Sequence, residues 1–111
     1  MMDKYIEAEK RLAELLGWKG IIQLGECLFG SDNETPPNPY KSQAVPQWCR
    51  DNSAVFELMV EHGCWPHETG GRILVGGWDG YVIISDHPDK KTAVRMALVQ
   101  ALISRLEANR G

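Results

Sequence analysis

The stretch from Arg72 to Glu107 narrows the possible folds more than any other part of the chain. It opens with Arg-Ile-Leu-Val-Gly-Gly-Trp-Asp-Gly-Tyr-Val-Ile-Ile-Ser, continues through Asp-His-Pro-Asp-Lys-Lys-Thr, and ends in the periodic segment Ala93 to Glu107. Arg72 to Gly76 and Tyr81 to Ser85 read as two strands. They meet around Trp78-Asp79-Gly80, because Asp-Gly favours a tight hairpin turn. A lone hairpin is marginal in water, so the helix that follows must cover one of its faces. That helix starts near Pro88 or Asp89. Val94, Ala97, Leu98, Ala101, Leu102 and Leu106 line its apolar face, and Val99 and Ile103 widen it. In the strands, Ile73 and Val75 point opposite to Leu74, and Tyr81 and Ile83 oppose Val82 and Ile84. Apolar residues on both faces predict a sheet covered on both sides.

Upstream, residues 3 to 16 carry a helical pattern. Tyr5, Ala8, Leu12, Leu15 and Leu16 form its apolar face, Asp3 is its cap candidate, and Glu7 is placed to pair with Arg11 one turn on. Gly17 stops it. Ile21 to Leu24 and Cys27 to Phe29 each have the length of a short edge strand. Gly30 to Pro39 is loop by composition. A second helix runs from the Pro46 to Asp51 region to His62, with Asp51 the best cap, a buried stripe of Val55, Phe56, Met59 and Val60, and Gly63 as its end. Cys64 to Thr69 reads as a further strand turning at Gly70-Gly71. The expected fold is therefore α/β of the α+β kind, a small antiparallel sheet with a central hairpin sandwiched by about three helices in a single domain spanning residues 1–111.

At 111 residues the chain is long enough to bury a core without disulfides or metal. Twelve Lys and Arg against 15 Asp and Glu leave a net charge of -3, which argues against nucleic acid as a partner. The three cysteines, Cys27, Cys49 and Cys64, have no framework spacing and point to reduced thiols in a cytosol. The charged N-terminus does not read as a signal peptide, and no apolar run reaches membrane-spanning length.

No catalytic motif emerges. His62, Cys64 and His67 are the nearest approach to a metal set, but His-x-Cys-x-x-His is not a compact zinc spacing. Whether Cys27 and Cys49 converge on them is left open by the sequence. Cys64 as a nucleophile would follow a helix C-terminus, where the dipole disfavours a thiolate. The glycine pairs 70–71 and 76–77 lie in hairpins and not between a strand and a helix start, so they do not make a phosphate loop. The expectation is no metal, no cofactor and no enzyme.

Two segments resemble the phage ABA sandwich domain, a family of small phage proteins. One is Pro46-Gln47-Trp48-Cys49-Arg50-Asp51 followed by Ala54-Val55-Phe56-Glu57-Leu58-Met59. The other is Ala93-Val94-Arg95-Met96-Ala97-Leu98, similar to the family's closing Ala-rich helix. The Gly17-Trp18 ending of the first helix also resembles the family's opening. Cys49-Arg50 stands where the family has Ser-Thr. The resemblance implies a phage or prophage accessory protein with a helix–sheet–helix sandwich, and it brings no catalytic residues with it.

The functional expectation is binding, to a host or phage protein, as a host-takeover or counter-defence inhibitor. The alternative is a small-ligand or nucleotide-sequestering protein without turnover, and a homo-oligomer is compatible with either. The partner-binding candidates are Trp78 and Asp79 at the hairpin tip, Trp65 beside Pro66, Arg72, and Tyr40 after the long loop. Of the four tryptophans, at least two are expected only to complete the core.

Overall fold

A computed structural model describes residues 3–31 and 43–110. In chain order the elements are α1 (Lys4–Leu15), β1 (Lys19–Leu24), β2 (Cys27–Ser31), β3 (Gln43–Ala44), α2 (Asn52–His62), β4 (Pro66–Thr69), β5 (Arg72–Val75), β6 (Val82–Ile83) and α3 (Lys90–Arg110). A single 3-10 turn, Ile84–Asp86, precedes α3. The α+β class is as expected, but the strands divide between two antiparallel sheets of three strands each, ordered β1-β2-β3 and β4-β5-β6.

Helix α3 is the hub. Ala93, Met96, Ala97, Leu98, Val99, Ala101, Leu102 and Ile103 are all buried, so the helix is apolar around most of its circumference and takes neighbours on several sides. It packs on α1, on α2 and on β4, β5 and β6. The side chain of Asp89 accepts from the Thr92 N–H at 2.7 Å and caps its first turn. Asp3 caps α1 through the Tyr5 N–H and Asp51 caps α2 through the Ser53 N–H. Gly63 closes α2 in the left-handed conformation.

Three packing expectations are corrected. In the second sheet Ile73, Val75 and Val82 are buried against α3, while Ile83 and Tyr81 on the opposite face are exposed. The sheet is thus covered on one side only among the described residues, because α1 and α2 pack on α3 and do not cross to that face. In α2, Val55 and Leu58 are buried, but Phe56 and Val60 of the expected stripe are exposed. In α1, Arg11 pairs with Glu107 of α3 at 3.2 Å instead of with Glu7.

The hairpin between β5 and β6 turns earlier than expected. The Trp78 N–H donates to the Val75 carbonyl at 3.0 Å, closing a turn over Gly76-Gly77. Gly77 has φ 83, the positive value that the third residue of a type II turn requires. Asp79-Gly80 follows this turn and does not form it. Among the described residues the first sheet also has an uncovered face: Ile22 pairs with Phe29 and Leu24 with Cys27, and both Ile22 and Leu24 are exposed.

Candidate functional site

Helix α2 is apolar on more than one side. Its sequence from Ala54 to Val60 is Ala-Val-Phe-Glu-Leu-Met-Val, and only part of that surface can face the core. Val55 and Leu58 do so; Phe56 and Val60, one turn apart, stand 58% and 56% exposed, with Met59 half-buried beside them. The angle between α2 and α3 leaves an open groove of about 320 Å³ along this side. Val55, Phe56, Met59, Pro66, Val94 and Leu98 supply its apolar surface. Lys90, Lys91, Arg95 and Asn52 supply its polar edge. Trp65, directly before Pro66, is 59% exposed.

A partly exposed polar cluster lies at the edge of the groove. Arg95 donates to the Cys49 carbonyl at 2.9 Å, to Asn52 Oδ1 at 2.6 Å and to Thr92 Oγ1 at 3.0 Å. Behind it, Glu9 is 1% exposed and accepts from the Cys49 N–H and from both Nε and Nη2 of Arg50, the last at 2.7 Å. These bonds tie α1 to the segment before α2, and the start of α2 to α3. Burial, and then the charge of Glu9, push the Cys49 thiol far above its ordinary range. That thiol is a packed hydrophobe, in contact with Met96, and not a nucleophile.

The residues singled out from the sequence do not form one site. Trp65 precedes the groove-lining Pro66 but does not itself line the groove. Arg72 is on the open face of the second sheet, its guanidinium 4.7 Å from the Tyr81 ring centroid. There it lines a separate depression of about 390 Å³ with Thr69, Gly70, Leu74 and Tyr81. Asp79 is exposed in the loop between β5 and β6. Trp78 is half-buried and packed against the core, so it is not the free anchor expected of a hairpin tip. Tyr40 lies outside the described residues. Trp48 is buried, and Trp18 packs against the core as well.

Cys27, Cys49, Cys64, His62 and His67 do not converge. Among the described residues no group of His, Cys, Asp or Glu is placed to hold a metal ion. Cys64 is buried and its thiol faces the backbone carbonyl of His62, not either imidazole. No helix among the described residues is long and apolar enough to cross a membrane.

No protein family, characterised protein or solved structure matches this chain. The likeness to the phage ABA sandwich rests on its short motifs alone.

The groove escaped sequence reading because Phe56 and Met59 have helical spacing and so resemble an inward stripe. One signal was present. An almost continuous apolar run on a short helix exceeds what a single buried face needs.

Proposed function

We propose that this protein acts by binding a protein partner, with the groove between α2 and α3 as the docking surface. The reading is carried by one observation. An open groove retains Phe56, Met59 and Val94 on its walls, and Val60, one turn from Phe56, is exposed on the same helix. Large apolar side chains left in water at one place are the usual mark of an interaction surface, and each contributes about 1.5–3 kcal/mol when fully covered. A groove between two helices suits an amphipathic segment that seats apolar residues from alternate turns. The resemblance to phage sandwich proteins supports a host protein in a bacterial cytoplasm as that partner, with inhibition by occupancy as the consequence.

A small-ligand reading is favoured by the size of the groove, which falls within the range of small-molecule sites. Affinity co-purification from bacterial lysate, run in parallel with the wild type and with Phe56→Asp, separates the two. The expected result is a stoichiometric protein retained by the wild type and lost with the variant. Identical proteins on both would rule out the groove. A retained small molecule, lost with the variant and without any accompanying protein, would replace partner binding by ligand sequestering.

A further inference from the structure

We infer that the partner segment is an acidic amphipathic helix, its apolar face seated between α2 and α3 and its carboxylates at the Lys91 end. The inference rests on the groove being the docking surface proposed above. The chain as a whole carries 15 acidic against 12 basic side chains. The groove inverts that balance, since Lys90, Lys91 and Arg95 line it and no carboxylate does. A second depression that α2 lines has the opposite character, with Glu57 and Glu61 beside Leu16, Trp18 and Trp48. Helix α2 therefore borders one cation-edged apolar groove and one acid-edged depression.

The three cations differ in how far they are already compensated. Lys90 meets Glu68 at 2.8 Å, an exposed pair of little strength. Arg95 directs its donors to neutral oxygens only, so it is held in place with its charge uncancelled by any carboxylate bond among the described residues. Lys91 makes no ion pair among the described residues. Both lysines sit in the first turn of α3, the positive end of the helix dipole, and no acidic residue shares that turn. Asp89 offsets part of this by capping one N–H. An anion placed at this end of the groove would meet a positive potential. An acidic amphipathic helix supplies that anion together with apolar side chains at the spacing the groove accepts.

The test is selection of a display library against the immobilised folded chain. The library carries helical peptides with Leu and Phe fixed along one face and the polar positions randomised. Asp and Glu should be enriched, and fluorescence anisotropy of the selected peptides should show binding weakened about tenfold or more by Lys91→Glu and by Phe56→Asp. Phe56 and Lys91 are both exposed, so circular dichroism should show both variants folded, with Tm raised slightly by Lys91→Glu, which complements the first turn of α3, and lowered slightly by Phe56→Asp. Neutral or basic peptides that are lost with Phe56→Asp would overturn the acidic partner and leave the groove as a binding site. Peptides indifferent to Phe56→Asp, or no enrichment at all, would overturn the groove reading and the inference with it. Laurate bound with the same dependence on Phe56 and Lys91, in place of any peptide, would reassign the groove to an anionic amphiphile.

Discussion

Glu9 is a carboxylate placed where a chain of this size ordinarily puts a Leu, on the inner face of α1 among Ile6, Leu12 and Ala13. Its two oxygens are satisfied by Arg50 and by the Cys49 N–H, so the desolvation of the charge is offset only while both partners remain. Arg50→Met should therefore destabilise by about 3 kcal/mol, the lower end for a broken buried pair because Arg50 keeps a quarter of its side chain in solvent. Glu9→Met with Arg50→Met should recover part of that loss. Urea unfolding of the two variants gives the comparison, and equal destabilisation would show that the pair adds more than its desolvation removes. His87 is the second residue with a measurable signature. Burial, then the nearby Lys4 charge, hold its imidazole below the ordinary value, and the Tyr5 hydroxyl and the ring Nδ1 share a hydrogen bond of 2.6 Å. The unfolded chain binds this proton more readily than the folded one. The contribution is whole above the unfolded value of about 6.5 and declines as pH falls toward the lower folded value. The urea midpoint should drop below about pH 6.5 in the wild type and less so in His87→Gln. An equal drop in both would place the proton elsewhere.

At the scale of elements, the helices were legible because their caps and periodicity agree: Asp3, Asp51 and Gly63 occupy the expected boundary positions. The first sheet was legible only as isolated strands. All of β1 except Ile21 is exposed, so it shows no alternation of inner and outer residues from which pairing could be inferred. Burial of Glu9 was not legible either, since an acidic residue on a charged helix reads as solvated until Arg50 is placed opposite it. In the β5–β6 hairpin the local signals competed. Asp79-Gly80 is the stronger turn dipeptide, but Gly76-Gly77 takes the turn and lets the Trp78 ring fold back over Gly80. A Cβ at position 80 would lie 2.5 Å from the Trp78 ring, so that glycine is required by close approach and not by its backbone angle. Gly80→Ala should displace the indole and shift its fluorescence toward red emission. Trp78→Ala should destabilise by about 2 kcal/mol, less than a fully buried Trp because the side chain is only partly buried against the core. Unchanged stability in Trp78→Ala would return Trp78 to the role of a free surface residue.

Over the whole molecule, the burden of cohesion is uneven, and α3 is the reason. It touches both other helices and every strand of the second sheet, whereas β1 is joined chiefly to β2, with α1 as its other substantial neighbour. An element held by one hairpin partner can open without the rest, while one contacted from several sides opens only when the core does. Native-state hydrogen exchange should accordingly show two regimes. Amides of β1 should exchange through local openings with weak urea dependence, and central amides of α3 should exchange through global unfolding with the full dependence. Leu102 is almost wholly buried at the centre of that hub. Leu102→Ala should lower protection in α3 by about 3 kcal/mol and leave β1 amides nearly unchanged, because their opening does not expose the cavity. Equal loss of protection in both would mean that the first sheet unfolds only with the helices. The groove spans this division, since α3 opens last but α2 has α3 as its one substantial neighbour among the described elements. A partner docking there would bridge the two, and its binding should raise protection in α2 above all, without ordering β1.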